Sequence, residues 1–115
     1  MTNRDRRYLK LATNVALSST ERMKHGAVIV KGGRVLSVGI NKFRNHPTII
    51  PSEHIKTSCS VHAEVDALRK IKKASGATIY ISRVNKRGQE RLSRPCPNCY
   101  DAIRDAGITK IVFTD

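Results

Sequence analysis

The sequence predicts an α/β fold, a three-layer α/β/α sandwich with a mixed sheet of about four strands. A hairpin pattern near the N-terminus supplies two antiparallel strands. Two later strand patterns are each preceded by a helical pattern, and a right-handed connection through the intervening helix makes the last two strands parallel, with helices on both faces of the sheet. At 115 residues without a repeat or linker, the chain is expected to form one domain over residues 1–115.

The first elements are a helix and a hairpin. Residues 4–19 carry apolar side chains on one helical face, which predicts an amphipathic helix. These side chains are Tyr8, Leu9, Ala12, Val15 and Ala16. The segment GAVIVKGGRVLSVGIN then predicts strands over Ala27–Lys31 and Arg34–Ile40, because Gly32-Gly33 interrupts a β-branched run with a strong turn signal.

The second half of the chain alternates helices and strands. Residues 42–59 contain two prolines and no sustained period, so they are expected to form a long loop, a feature that is uncommon in compact domains unless it has a function. The elements predicted after it are a helix over residues 61–74, a strand over 77–84, a turn with a short extension over 85–92, a helix over 97–106 and a strand over 109–114.

The chain is strongly basic, with 22 Lys and Arg against nine Asp and Glu and a formal net charge of +13. Such a charge attracts phosphorylated small molecules or polyanions, although scattered basic charge can also serve solubility alone. No run approaches the roughly 20 apolar residues of a membrane span, and the N-terminus lacks the apolar core of a secretory signal. We therefore expect an intracellular, cytoplasmic protein with no membrane partner.

A CxxC motif lies where the third helix is predicted to begin. Cys96 and Cys99 are at positions i and i+3, so both sulfurs face the same side of the first turn. The helix N-terminus is expected to lower the thiol pKa and to prepare two soft anionic ligands suited to zinc. A thioredoxin-like redox pair is the competing interpretation, but it requires the CxxC after a first strand and leaves His62 and Glu64 without a role.

His62 opens the second predicted helix as the cysteines open the third. Helix N-termini gather beyond the carboxyl ends of parallel strands, so His62, Cys96 and Cys99 are expected to meet there. Three protein ligands leave one tetrahedral position for water, which is typical of catalytic zinc. Glu64 follows His62 closely and is suited to exchange protons with that water. Its alternative role in a capping box would need Ser or Thr where the chain has Val61.

The paired motifs HAE, at His62–Glu64, and PCPNC, at Pro95–Cys99, resemble those of the cytidine and deoxycytidylate deaminase superfamily. The similarity extends to HGAVIVKGGRVLSVGIN and to AGITKIVF, so it covers nearly the whole chain. It implies a cytidine deaminase-like fold and zinc-dependent hydrolysis of cytosine to uracil and ammonia.

The resemblance also assigns roles to residues. It implies one zinc ion per chain, with Glu64 as the group that moves protons. The implied zinc ligands are His62, Cys96 and Cys99. Asn41 matches the asparagine that holds the sugar hydroxyl in family members, and the backbone N–H of Ala63 is placed to hold the ring carbonyl. On the residues alone, Asn41 is equally well explained as a turn residue after a strand.

The substrate is the point on which the sequence leaves alternatives. A free nucleotide, dCMP or CMP, would have its phosphate held by loop residues such as Lys42, Arg44 and Lys56. Cytosine within single-stranded DNA or RNA would suit the net charge of +13. The five aromatic residues, three Tyr and two Phe with no Trp, disfavour the stacking platforms of such proteins, and AGI after the CxxC resembles deoxycytidylate deaminases. The nucleotide is therefore preferred. A noncatalytic zinc-containing nucleic-acid-binding protein is a third hypothesis, but it leaves Glu64 without a function.

Two features depart from the commoner pattern of the superfamily, and Cys59 stands apart from both motifs. Arg94 stands before PCxxC where many relatives have Glu, and it follows a basic extension. The chain ends at Asp115 after the strand TKIVFT, whose edge is expected to be open and covered by a second copy in a homo-oligomer. Cys59 is interpreted as a small buried residue; the alternative is a second zinc site that combines it with His46 or His54.

Overall fold

The computed structural model describes residues 1–21, 23–43, 60–71 and 73–114. The helices are α1 (Asn3–Ala16), α2 (Ala63–Leu68) and α3 (Pro97–Asp105). The strands are β1 (Lys24–Lys31), β2 (Arg34–Ile40), β3 (Lys42–Phe43), β4 (Ser60–Val61), β5 (Thr78–Val84), β6 (Glu90–Arg91) and β7 (Lys110–Phe113). Five strands form the main sheet, and β3 pairs separately with β4.

The main sheet is built around the antiparallel pair of β1 and β5. The side of β1 that faces away from β5 pairs with β2. These two strands are joined by a hairpin at Gly32 and Gly33, whose φ angles of 59° and 77° favour glycine. The outer side of β5 pairs in parallel with β7 over Thr78–Ile81 and antiparallel with β6 over Arg83–Val84. The predicted parallel pairing of the last two long strands is confirmed. The sheet has a fifth strand because the predicted extension folds back as β6 beside the part of β5 that β7 leaves free.

Side chains alternate along the central strands and build two apolar layers. Ala27 and Ile29 of β1 face α2 and α3, where they pack with Ile79 and Ile81 of β5 and with Ile103 of α3. The other face carries a layer between the sheet and α1, made of Tyr8, Leu9, Ala12, Val28, Val30, Tyr80 and Val112. Helices therefore cover both faces of a mixed sheet, and the predicted three-layer α/β/α sandwich is confirmed.

Two glycines let the helices approach the sheet closely. A Cβ at Gly26 in β1 would overlap the carbonyl oxygen of Ala12 in α1, and a Cβ at Gly39 in β2 would overlap the carbonyl oxygen of Ala63 in α2. Any larger residue at these positions would have to push a helix backbone away from the sheet. Gly39 in this way sets the depth at which the first turn of α2 lies.

The helices are shorter than predicted at their C-terminal ends. The predicted first helix reaches residue 19, but α1 ends at Ala16, where the N–H groups of Ser18 and Ser19 bond to carbonyls three residues back. The predicted second helix covers residues 61–74, but α2 covers only Ala63–Leu68 and ends with the same tightening of its hydrogen bonds. Ile71 and Ala74 still pack against the core, so their apolar spacing imitates a longer helix.

The predicted loop over residues 42–59 lies almost entirely outside the described residues, apart from Lys42–Phe43 in β3. The expectations for Cys59 and for a second zinc site fall in the same undescribed segment. Among the helices that the structure describes, none combines the length and apolarity that a membrane span requires. Within the described strands β7 pairs only with β5, so its outer edge is open.

Candidate metal and catalytic site

The candidate ligands are placed by the starts of two helices on the same face of the sheet. His62 is the N-cap of α2, with φ −73° and ψ 147°, and its side chain makes no capping hydrogen bond. Cys96 is the N-cap of α3, and its sulfur accepts a hydrogen bond of 3.4 Å from the backbone N–H of Cys99. Pro97 occupies the first turn of α3, where its missing N–H costs nothing. The predicted positions of His62 and the CxxC at helix starts are confirmed.

Three contacts hold α2 against the end of β2 and so position His62. Gly39 allows the close approach, and the Ser37 hydroxyl donates a hydrogen bond of 2.8 Å to the Ala67 carbonyl. Asp66, which is fully buried, accepts a hydrogen bond of 3.1 Å from the backbone N–H of Ile40. Its charge is balanced by nearby cations. These are Lys42, Arg69 and Lys70, with nitrogen–oxygen distances of 3.3, 3.4 and 3.2 Å.

The ligand atoms of His62, Cys96 and Cys99 all lie within 4.8 Å of one another. His62 Nδ1 is 3.1 Å from Cys99 Sγ and 3.7 Å from Cys96 Sγ. Tetrahedral zinc, with bonds of about 2.3 Å to sulfur and about 2.0 Å to nitrogen, would separate such atoms by about 3.5 to 3.8 Å. Two sulfurs and an imidazole are also the donor types that zinc prefers. The set therefore fits a zinc ion with three protein ligands, and it accounts for the CxxC better than a redox pair does because His62 is part of the cluster.

Glu64 is a buried carboxyl group beside these ligands. Its side chain is 4% exposed, and its Oε1 has no hydrogen-bond partner among the described residues. Burial raises the pKa of Glu64, while the nearby His62 and Cys99 side chains act in the opposite direction. An unpartnered carboxylate oxygen in an apolar setting is costly to fold. The Glu64 carboxyl thus lies next to three groups suited to a metal, with one oxygen unpaired among the described residues.

The thiol of Cys99 differs from the sequence-based expectation. The helix N-terminus was expected to lower its pKa, but burial first, and then the neighbouring Glu64 carboxylate, raise the pKa of this thiol. The expectation is wrong because it considered the helix dipole without the desolvation of a side chain that is 2% exposed. A divalent cation would supply the positive charge that two sulfurs and a carboxylate lack in this pocket.

Asn41 directly follows β2, and its side chain bonds to the backbone at and just before the start of β1. Its Oδ1 accepts a hydrogen bond of 2.8 Å from the N–H of His25, and its Nδ2 donates one of 2.7 Å to the carbonyl of Met23. An asparagine amide has a second N–H and a second acceptor site, so part of its capacity is left for a ligand. Ala63 is fully buried at the first helical position of α2, where a backbone N–H has no partner within the helix.

Sequence reasoning missed several residues that shape this site. His25, at the start of β1, has its pKa lowered to about 4 by burial and by the charges of Arg83 and His62. Asp66 could have been noticed four residues before Lys70, a spacing that pairs charges along a helix. Nothing in the local pattern marks Gly39 as a point of contact, because its partner α2 is distant in the sequence.

The fold and the site together define a zinc-binding deaminase of the α/β/α class. The family model described as the cytidine and deoxycytidylate deaminase zinc-binding region matches residues 2–115. The chain belongs to this family, and its cofactor is zinc. Family and fold make it a hydrolytic deaminase. A comparison with curated proteins found no match.

Solved structures of similar fold include deaminases of different bases. The dCMP deaminase of cyanophage S-TIM5 in apo form is 27% identical, with a TM-score of 0.71 over 98% of this chain and 84% of that chain. The same enzyme in complex with dCMP and dUMP is 25% identical, with a TM-score of 0.69 over 98% and 82%. Guanine deaminase from Bacillus subtilis, at 24% identity and a TM-score of 0.60 over 98% and 64%, shares the fold.

Proposed function

We propose that this chain deaminates the cytosine of a nucleotide, dCMP or CMP, to the corresponding uracil nucleotide. The observation that carries the proposal is the buried Glu64 carboxyl, which lies beside the His62, Cys96 and Cys99 cluster and has an oxygen without a partner among the described residues. A site that only needed to hold zinc for stability would have no use for a desolvated carboxyl group there.

The residues of the site divide the work of the reaction. His62, Cys96 and Cys99 would hold the zinc ion, which lowers the pKa of bound water towards neutrality and makes hydroxide available at the pH of a cell. Glu64 takes a proton from the attacking water and gives it to the ring nitrogen N3. It then carries the proton of the hydroxyl added at C4 to the amino group; the C4–N bond breaks, the C4 carbonyl forms, and cytosine and water have become uracil and ammonia. Burial of the Glu64 carboxyl favours its protonated form, which suits a group that must both accept and donate.

Two further groups are suited to orient the substrate. The N–H of Ala63 at the start of α2 is suited to donate to the carbonyl of the ring, since it has no partner within its helix. The remaining N–H and acceptor site of the Asn41 amide are proposed to hold the sugar hydroxyl. Lys42, one of the phosphate ligands that the sequence suggests, is paired with Asp66 at 3.3 Å and so is partly committed to the fold.

The nucleotide is preferred as substrate because a similar protein, the dCMP deaminase of cyanophage S-TIM5, has been solved with dCMP and dUMP. The net charge of +13 suits any phosphorylated substrate. It also keeps cytosine in single-stranded DNA or RNA as a second candidate, because a nucleic-acid strand carries one phosphate for every nucleotide.

The test compares ammonia release by zinc-loaded wild type and Glu64→Gln with dCMP, CMP, cytidine and cytosine-containing oligonucleotides. Loss of general acid–base catalysis should lower kcat by about 10²- to 10⁴-fold. Glu64→Gln should keep its zinc, because Glu64 is not one of the three clustered ligands. Glu90→Gln is the matched control: Glu90 bonds to Thr13 on the α1 face of the sheet, so this variant should retain full activity.

The outcomes separate the candidates. Turnover of dCMP or CMP supports the proposal. Turnover of oligonucleotides alone, with strong dependence on salt, would identify single-stranded nucleic acid as the substrate. Zinc-loaded wild type that releases ammonia from none of these substrates would refute the proposed deamination of cytosine, and it would favour the noncatalytic zinc protein that binds nucleic acid.

We also propose that the protein is a homo-oligomer. Among the described strands, β7 pairs on one side only, and an open strand edge is usually covered by a partner. A monomeric mass by light scattering at assay concentration would contradict this.

A further inference from the structure

Three basic side chains form a row across three neighbouring strands, β1, β5 and β6, at the end of the sheet that lies nearest the site. Cα register places His25 of β1 directly opposite Arg83 of β5, and Arg83 directly opposite Arg91 of β6. Directly opposite residues of neighbouring strands have side chains on the same face. At a strand spacing of about 4.8 Å, the row spans roughly 10 Å.

The row lies on the same face of the sheet as the metal site. On β1, His25 is two residues before Ala27, which packs on the α2 and α3 side, and on β5, Arg83 is two residues after Ile81, which packs on that side too. Side chains two residues apart share a face. The row therefore continues the core layer beneath α2 and α3 outward to solvent. The lowered pKa of His25 reflects, besides burial, the nearness of both Arg83 and His62.

The two arginines of the row have only neutral hydrogen-bond partners among the described residues. Arg83 Nη1 donates a hydrogen bond of 3.4 Å to the carbonyl of Leu92, and Arg91 Nη2 donates one of 3.3 Å to Oε1 of Gln89. These contacts leave the two positive charges unbalanced. Like charges directly opposite each other in a sheet are destabilising. Among the described residues neither arginine forms an ion pair with a carboxylate, and Arg83 Nε is buried without a partner. Glu90, the acid next to Arg91, pairs opposite Val84 and bonds to Thr13 on the other face.

The backbone that carries Arg91 is firmly held. β6 pairs with β5, and the Arg91 carbonyl accepts a hydrogen bond of 2.6 Å from the hydroxyl of Thr114. The turn between the two strands is closed by Asn85, whose Oδ1 accepts hydrogen bonds of 2.9 and 3.0 Å from the N–H groups of Arg87 and Gln89. The arginine row is thus presented by an ordered hairpin, which is the state expected of a preformed site.

We propose that His25, Arg83 and Arg91 form a subsite for the phosphate attached to the sugar of the substrate. A phosphate would supply the negative charge that the row lacks and would accept charge-assisted hydrogen bonds from two guanidinium groups. The order of groups fits a nucleotide, because Asn41, proposed for the sugar, bonds to the backbone of His25. This inference rests on the proposed function, and it holds for the monoester of a free nucleotide or for the diester of a strand.

The first experiment measures binding rather than turnover. Titration calorimetry with zinc-loaded protein gives the dissociation constants of dUMP, the expected product, and of deoxyuridine, which lacks the phosphate. Arg91→Gln and Arg83→Gln should each reduce the preference for dUMP over deoxyuridine by at least about tenfold, with deoxyuridine binding unchanged. Arg91 is exposed, so Arg91→Gln should fold normally even where Arg83→Gln does not.

Arg34→Gln is the matched control. Arg34 pairs with Lys31 at the opposite end of β1 from His25, which is six residues or about 20 Å away along the strand. The Arg34→Gln substitution removes one positive charge, as the row variants do, and should leave the preference for dUMP unchanged. An equal loss in Arg34→Gln would show that overall charge, not the row, attracts the phosphate, and unchanged preferences in both row variants would overturn the proposal.

A second arm distinguishes the source of the phosphate and keeps the two proposals separate. If the strand is the source, Arg91→Gln should instead weaken binding of a cytosine-containing oligodeoxynucleotide and lower the slope of log K against log salt by about 0.7. A wild type that prefers neither dUMP nor the oligonucleotide to deoxyuridine refutes the subsite, whatever the turnover. A wild type with that preference but without ammonia release refutes the proposed reaction and leaves the subsite standing.

Discussion

Replacing Gly39 by alanine should push the start of α2 away from the sheet and weaken zinc binding. A Cβ built on Gly39 would overlap the carbonyl oxygen of Ala63 and lie 2.5 Å from the backbone nitrogen and 3.0 Å from the Cα of Ala67. Optimal carbon–carbon contacts are about 3.5 to 4.0 Å, so the helix must move outward by roughly 1 Å. Because these atoms all belong to the backbone, no side-chain rotation relieves the overlap.

The size of the effect follows from where α2 begins. His62 directly precedes Ala63 and would move with it, away from the two cysteines of α3. Overpacking of this kind costs about 1 to 3 kcal/mol of stability, and a displacement of about 1 Å at a reacting centre costs about 10²-fold in rate. We expect Gly39→Ala to lower kcat by about that factor and to raise the dissociation constant of zinc by about tenfold or more.

The assay combines three measurements on the purified variant: zinc affinity by competition with a chromophoric chelator, ammonia release, and thermal unfolding. Gly26→Ala is the control, because its Cβ would overlap the carbonyl oxygen of Ala12 and lie 2.5 Å from the backbone nitrogen of Ala16 in α1. It creates the same collision with a helix that carries none of the zinc ligands, so it should lower Tm without changing zinc affinity. The reasoning is refuted if Gly39→Ala binds zinc and turns over as wild type does, or if Gly26→Ala loses as much zinc affinity.

Two further predictions concern the metal and the acid stability of the fold. Cys99→Ser should lose stoichiometric zinc by elemental analysis, whereas Cys59→Ser should retain one zinc per chain; a second equivalent that disappears with Cys59 would contradict the single-site prediction. The Lys110 ammonium and then the Tyr80 hydroxyl, each 2.9 Å from the carboxylate, hold the pKa of Asp5 well below its ordinary value. Asp5 therefore stabilises the fold at neutral pH and loses this contribution as the pH falls below about 4. Denaturant titrations from pH 7 to pH 3 should show a shallower loss of stability in Asp5→Asn than in wild type, and parallel curves would refute the assignment.

Much of the site could be predicted because its chemistry is concentrated in two short motifs. His62 and the pair Cys96 and Cys99 each start a helix, and helix starts are visible in a sequence through proline, polar caps and the onset of an apolar period. The α/β alternation then brings those starts to one end of the sheet. The two motifs and the order of helices and strands can both be recognised in the sequence, so the meeting of the ligands can be predicted without a structure.

The parts that could not be predicted depend on contacts between distant segments. The length of α2 was overestimated because Ile71 and Ala74 keep a helical spacing while packing from a non-helical chain. The pKa of Cys99 was predicted in the wrong direction because burial is a property of the assembled core. The row from His25 to Arg91 exists only through strand register, which a single sequence does not specify across strands about 60 residues apart.

The metal cluster also ties the two helices of one layer together. His62 lies 34 residues before Cys96 and 37 before Cys99, so an ion held by all three is a cross-link that closes a long segment of chain. A ligand that binds only the folded state adds RT ln(1 + [L]/Kd) to its stability, about 4 kcal/mol at a free concentration 1,000 times Kd. The α2–α3 layer would therefore be a zinc-dependent part of the fold, and its persistence would follow the zinc supply of the compartment in which the protein works.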